Sequence, residues 1–122
     1  ARVIAAEPVG DGVDYVQVAD HAVFTSDSES FCLSLLEPMS LAVPSVARRV
    51  GGIPEVMEND ASGVLVSSAD AGLLAGAVED LLANPARRRA LGLAAPLRAR
   101  EKFSAETIVA RYEALYRELI AR

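Results

Sequence analysis

The fold class written in this sequence is α/β, a parallel sheet with flanking helices and a helical C-terminus, and three observations carry it. Short apolar runs of strand type, Ala22-Val23-Phe24-Thr25, Ser45-Val46-Ala47 and Val64-Leu65-Val66, are each bounded by Gly, Pro or Ser. Segments that fit helices lie between them, and such alternation belongs to parallel sheets, whose crossovers need a helix. After Val66 the pattern is helical to the end.

In chain order, Val3 to Ala6 is a short apolar run that ends at Glu7-Pro8 and the loop signal Gly10-Asp11-Gly12. Val13 to Ala19 fits a brief helix, and Ala22 to Thr25 the first clear strand. Phe31 to Leu41 and Pro54 to Glu58 fit helices on either side of the strand at Ser45. Asp70 is placed to cap a helix with the apolar stripe Leu73, Leu74, Ala77, Val78, Leu81 and Leu82, which Asn84-Pro85 ends. Pro85 suits the first turn of a further helix through Leu91. Ser104 is placed to cap the last helix, with Ile108, Tyr112, Leu115 and Leu119 on one face and Val109, Tyr116 and Ile120 beside it.

The run Ser28-Glu29-Ser30-Phe31-Cys32-Leu33-Ser34-Leu35-Leu36-Glu37 carries the chemistry. It reads as a strand end, a polar turn and the opening of a helix. Unpaired N–H groups at a helix N-terminus hold a phosphate without any basic side chain. Glu29 lies just before the first turn, and Glu37 lies about 12 Å further along at about 1.5 Å per residue. Carboxylates accept hydrogen bonds from hydroxyls, and a sugar nucleotide carries hydroxyls on both sides of its diphosphate. A second reading stands beside this one: Glu29 as a helix-dipole acid and Glu37 as an exposed helix carboxylate.

Further on come Glu37-Pro38-Met39-Ser40-Leu41-Ala42-Val43-Pro44-Ser45-Val46-Ala47-Arg48-Arg49-Val50-Gly51-Gly52-Ile53-Pro54-Glu55-Val56 and Ser62-Gly63-Val64-Leu65-Val66. From about residue 20 to 122 this order resembles the donor-binding half of retaining glycosyltransferases of family 4, which have two facing Rossmann-like domains, the GT-B architecture. Members typically show Glu-x-Phe-Gly-Leu, a second glutamate, Gly-x-Pro-Val-Val-Ala, Gly-Gly-x-x-Glu and Gly-x-Leu-Val. Ser26 to Phe31, Val43 to Ser45, Arg49 to Val56 and Ile108 to Glu113 look most like the N-acetylglucosaminyl malate synthases of bacillithiol biosynthesis.

The resemblance implies a partial, C-terminal nucleotide-sugar-binding domain over 1–122, with the acceptor-binding N-terminal domain absent and the chain inactive alone. It implies that Glu29 is catalytic and faces the donor sugar, and that Glu37 binds the ribose. Backbone N–H groups of Ser30, Phe31, Cys32 and Leu33 would approach the sugar and distal phosphate. It implies no cofactor and no metal, since backbone dipoles and basic side chains neutralise the leaving diphosphate of a UDP-sugar donor. No counterpart of those basic side chains is visible. The partners implied are a nucleotide sugar and, through the other domain, a small-molecule acceptor. The last helix packs across to that domain in the family, so here its apolar face is expected to be open to self-association into a homo-oligomer. Non-catalytic readings remain: a nucleotide-sugar-binding module or pseudoenzyme working through a partner chain, or a segment that only stabilises a larger assembly.

This chain departs from the pattern in four places. Cys32 stands for a glycine, which is expected to crowd the donor. Pro38 follows Glu37 and is expected to bias it away from helical angles. Leu41-Ala42 stands where Cys-Gly or Ala-Gly is common, and Arg48 where Thr or Ser is common.

Other residues carry less. Gly51-Gly52 before Pro54 fits either a tight turn or a wall of the donor pocket. Glu55 reads as a first-turn acid, His21 as structural, and Tyr112 and Tyr116 as core. With only one His and no nucleophile-elbow motif, no Ser-His-Asp or Cys-His arrangement is expected. A net charge of -5 argues against nucleic acid, and Arg87-Arg88-Arg89, Arg98 and Arg100 read as solvated helix faces. No apolar run reaches the ~18 residues of a membrane span, and no signal-peptide pattern opens the chain. A single cysteine forms no internal disulfide, which points to a reducing cytoplasm. The opening Arg2-Val3-Ile4, with no Met, reads as a piece of a longer protein.

Overall fold

The computed structural model describes residues 10–122, so the apolar run at Val3 to Ala6 lies outside the described residues. The elements are α1 (Gly12–Gln17), β1 (Ala22–Phe24), α2 (Leu33–Ser40), β2 (Ser45–Arg48), α3 (Ile53–Val56), β3 (Val64–Val66), α4 (Ala71–Ala83), α5 (Pro85–Phe103) and α6 (Ala105–Ile120). The strands form a parallel sheet in the order β1-β2-β3, in register Val23 with Val46 and Ala47 with Leu65. The α/β class and all three expected strands are present.

Alternation along β2 divides the core. Val46 joins Val64, Leu74, Leu81 and Leu91 on one face of the sheet. Ala47 joins Cys32, Leu35, Met39, Ile53, Val56, Met57, Ala95 and Ala99 on the other. Successive side chains of a strand point to opposite faces, so a middle strand must be apolar at both positions. Leu35 and Met39 are fully buried one turn apart on α2, and burial of such a side chain contributes about 1.5–3 kcal/mol.

Pro38 does not displace Glu37. Glu37 is helical within α2, and its carbonyl accepts from Leu41 N–H at 3.2 Å. The helix survives its proline because the ring is fully buried and the C-terminus is closed tightly. Val43 N–H donates to the Pro38 carbonyl at 2.9 Å and Ala42 N–H to that of Met39 at 3.3 Å, the paired bonds of a Schellman motif. That motif requires a left-handed residue, which is Ala42 at φ 60°.

The apolar stripe of α4 is narrower than expected. Leu74 and Leu81 are buried, whereas Leu73 and Leu82 stand exposed. Asp70 caps this helix by accepting from Gly72 N–H at 2.7 Å and Leu73 N–H at 3.3 Å. Helix α5 runs past Leu91 to Phe103, through Gly92 and Pro96. Two causes override those breakers. Leu91, Ala95 and Ala99 recur every four residues on the buried side, and Gly92 lets α5 close on α2, where a Cβ would lie 2.7 Å from the Ala42 carbonyl.

Arg98 is no solvated arginine. Its Nε donates to the Val56 carbonyl at 2.8 Å and its Nη2 to that of Glu55 at 2.9 Å, while Nη1 meets Glu58 Oε2 at 3.0 Å. One guanidinium therefore satisfies the open C-terminus of α3 and ties it to α5.

Ser104 caps α6 by accepting from Thr107 N–H at 3.2 Å. None of the α6 side chains is buried, and Tyr112, Leu115, Tyr116 and Leu119 are about half exposed. Tyr112 and Tyr116 are thus surface residues and not core. His21 Nδ1 is buried just before β1 and meets no hydrogen-bond partner among the described residues.

Ala42 is exposed, so its side chain contributes little packing against the cost of a positive φ. Ala42→Gly should stabilise the fold by about 0.5–1 kcal/mol, as the removed left-handed penalty exceeds the added freedom of the unfolded chain. Urea unfolding midpoints decide this, and a midpoint lowered in the glycine variant contradicts it.

Candidate functional site

Parallel strands present all their carboxyl ends on one side, where ligands of open sheets bind. The loop after β1 holds Glu29 to Cys32, and the loop after β2 holds Arg49 to Gly52. The two meet backbone to backbone. A Cβ on Gly51, at φ 50°, would stand 1.7 Å from the Glu29 carbonyl oxygen, and one on Gly52 would stand 2.0 Å from that of Ser30. Gly52 N–H donates to the Glu29 carbonyl at 3.2 Å. No side chain fits at either position. The glycine pair is therefore needed for this contact, beyond any need to turn the chain.

Glu29 is half-buried, and its Oε1 accepts from Ser26 Oγ at 2.7 Å. Ser30 is exposed. Phe31 packs edge-on against Phe103, with ring centroids 5.2 Å apart at 75°. Cys32 precedes α2 at φ 70° and ψ 65°, a left-handed conformation that a glycine adopts freely. Its side chain is buried in the core, with Sγ 3.5 Å from Ser34 Oγ. The expected crowding by Cys32 is corrected here, because the thiol packs inward beside Leu35 and Met39.

No side chain caps α2. Leu33, its first residue, is 67% exposed; Leu35 N–H donates to the Cys32 carbonyl at 3.0 Å, and no side chain claims the amides before it. Glu37 is exposed about one turn after Leu33, on the wall of a groove of about 340 Å³ lined with Val13, Leu33, Leu36, Ser40 and Leu41. The structure brings Glu29 to Cys32 together with Gly51-Gly52, and Leu33 together with Glu37. Glu29 is not among the residues lining the Glu37 groove. Glu55 is exposed in the first turn of α3, as expected of a dipole-complementing acid. Among the described residues no three His, Cys, Asp or Glu side chains converge as metal ligands.

Two side chains at this end of the sheet were given no functional role from the sequence. Arg48, the last residue of β2, pairs with the carboxylate of Asp27 and donates from Nε to the Ser68 carbonyl at 3.2 Å. An arginine ending a central strand was the visible cue; Asp27 gave none, since it lies in an otherwise ordinary polar turn.

The profile of the family described as "Glycosyl transferases group 1" matches residues 2–98, which hold every site residue above. The chain belongs to the group 1 glycosyltransferases. The N-acetyl-alpha-D-glucosaminyl L-malate synthase of Bacillus anthracis is 35% identical over 107 residues, 88% of this chain and 28% of that protein. The D-inositol 3-phosphate glycosyltransferase of Corynebacterium diphtheriae is 36% identical over 94 residues, 77% of this chain and 22% of that one. Among solved structures, a sucrose-phosphate synthase from Thermosynechococcus elongatus superposes at a TM-score of 0.81 with 36% identity, over 88% of this chain and 27% of that one. Anabaena HepE in complex with UDP superposes at 0.79 with 23% identity, over 85% and 29%, and shows the fold alone. This group 1 glycosyltransferase chain thus spans less than a third of the length of these relatives.

The left-handed geometry at Cys32 sets an unusual order of stability. Replacing it by glycine relieves the backbone, whereas alanine keeps the strain and loses the same thiol. Cys32→Gly should therefore be more stable than Cys32→Ala by about 1 kcal/mol, the reverse of the order in ordinary backbone. Chemical denaturation of the two variants measures the difference, and an alanine variant equal to or above the glycine variant refutes it.

Proposed function

We propose that this chain is the donor-binding half of a retaining glycosyltransferase that moves a sugar, N-acetylglucosamine from a UDP-sugar, onto a small acceptor. The observation that carries the reading is the uncapped start of α2, set between a half-buried Glu29 before it and an exposed Glu37 along it. The amides of Ser30 to Leu33 receive the distal phosphate. Glu37 accepts from the ribose hydroxyls, and Glu29, fixed by Ser26, faces the sugar. The bond from the anomeric carbon to the diphosphate breaks, and its electron pair leaves with the phosphate oxygen toward the α2 amides. The acceptor hydroxyl then bonds to that carbon on the same face and gives its proton to the departing phosphate oxygen, so the configuration is retained. Backbone dipoles stabilise the departing charge, which needs no divalent metal. The names of the two relatives, a malate synthase and an inositol 3-phosphate glycosyltransferase, support a small polar acceptor. The acceptor is held by an N-terminal domain outside these 122 residues, in a reducing cytoplasmic compartment.

The two acids act on different ends of one donor, because the phosphate-binding turn lies between them. In the full-length protein Glu37→Gln should weaken UDP and the donor alike, by about 1.5–3 kcal/mol for lost charge-assisted hydrogen bonds. Glu29→Gln should lower turnover far more than donor affinity, since the sugar changes shape and charge only at the transition state. UDP titration and steady-state kinetics separate the two. Equal UDP affinity in wild type and Glu37→Gln removes the ribose assignment.

The 122 residues alone should bind UDP but form no product with malate or any other acceptor. Turnover by the purified chain overturns the division of labour between the two domains, and failure to bind UDP overturns the donor site itself.

A further inference from the structure

The donor loop is fastened on one side by the glycine contact, and a second fastening comes from a side chain with no role in that contact. Arg48 closes the middle strand, and its guanidinium spans to both neighbours. Its Cα lies in register with Val66 of β3, and Ser68 follows that strand by two residues. Asp27 follows β1 by three residues and precedes Glu29 by two. Nε donates to the Ser68 carbonyl at 3.2 Å, and Nη1 pairs with the Asp27 carboxylate. Among the described residues this pair is the only side-chain bond from the segment Asp27 to Ser30 to another part of the sheet.

We infer that Arg48 is a positioning residue for the donor site, holding the turn Ser26 to Glu29 against the far side of the sheet through Asp27. The energetics favour an effect on order over an effect on stability. The Arg48 side chain is 14% exposed, whereas that of Asp27 is 92% exposed, so the pair contributes little to global folding. A guanidinium is a planar fork with several donors, so one group holds two partners in fixed directions. With Asp27 fixed, the Ser26 hydroxyl has a defined place from which to hold the Glu29 carboxylate. Placement of that kind matters to rate: a misplacement of about 1 Å costs on the order of 100-fold.

The kinetic consequence rests on the donor-binding reading above, but the fastening itself does not, and the test keeps them apart. Arg48→Met, Asp27→Asn, the double variant and Arg48→Lys are made in the full-length protein. Hydrogen exchange should quicken about tenfold at the buried Gly52 amide, which donates to the Glu29 carbonyl, in Arg48→Met and Asp27→Asn, with Val46 and Ala47 as protected as before. The double variant should be no faster than either single, as expected of two members of one pair. Turnover should fall about 10- to 100-fold while UDP affinity moves by less than about twofold. Should Arg48→Met also loosen β2, Arg48→Lys and Asp27→Asn carry the comparison, since both leave the strand's packing in place. Unchanged exchange at Gly52, or additive effects in the double variant, overturns the inference. UDP affinity falling in step with turnover overturns it too, because Arg48 would then hold the donor and not the loop. A wild type that binds no UDP sinks the donor reading, and exchange at Gly52 still decides the fastening.

Discussion

The close approach of Gly51 and Gly52 to the backbone of Glu29 and Ser30 is the constraint on which the site depends. Two peptide segments lie where no Cβ fits, and one hydrogen bond, Gly52 N–H to the Glu29 carbonyl, fixes their register. The chain that leaves this contact has only Phe31 and Cys32 in which to enter α2, and the turn is made by a left-handed Cys32. On the other side, α3 begins at Ile53, directly after the second glycine. One contact therefore sets the start of both helices whose first turns face the carboxyl end of the sheet.

Such geometry costs backbone strain, and the core offsets it. Cys32 and Ala42 bracket α2 with positive φ, at about 1–2 kcal/mol each for residues that carry a Cβ. Between them Leu35, Pro38 and Met39 are fully buried, and full burial of Leu35 and Met39 contributes about 1.5–3 kcal/mol apiece. That burial is of the same size as the strain at the two ends, and the fully buried Pro38 ring packs in the same core. Helix α5 helps by closing through Gly92 onto the Ala42 carbonyl. Position along α2 is thereby fixed from both ends, and with it the distance from the first-turn amides to Glu37.

How legible this was in the sequence depends on the range of each interaction. The three strands and the caps at Asp70 and Ser104 are local features, and all are where the sequence put them. The length of α5 was not legible, because Gly92 and Pro96 are local breakers that only long-range packing on α2 overrides. Arg98 looked like a surface arginine for the same reason: its three partners lie about 40 residues away. Tyr112 and Tyr116 share a helical period with core residues, and period alone does not say whether a face is covered. At the site, the carboxylates and the turn could be named from sequence. The inward thiol of Cys32 and the Arg48–Asp27 pair could not, since each depends on where a neighbouring loop lies.

The free side of the loop after β1 is held differently from its glycine side. Phe31 meets Phe103 edge-on at 5.2 Å, and Phe103 ends α5 one residue before the Ser104 cap of α6. A groove of about 470 Å³ opens there, lined by Phe31, Leu33, Glu55, Phe103, Ile108 and Tyr112 among others. An aromatic pair of this kind contributes about 0.5–1.5 kcal/mol beyond its burial. That equals roughly a two- to tenfold bias in a loop equilibrium at about 1.4 kcal/mol per decade. The glycine contact admits one arrangement of the backbone, whereas the Phe31–Phe103 contact biases among several. Phe31 lies two residues after Glu29 and Phe103 one residue before the Ser104 cap, so this one contact joins the loop that carries Glu29 to the junction of α5 and α6.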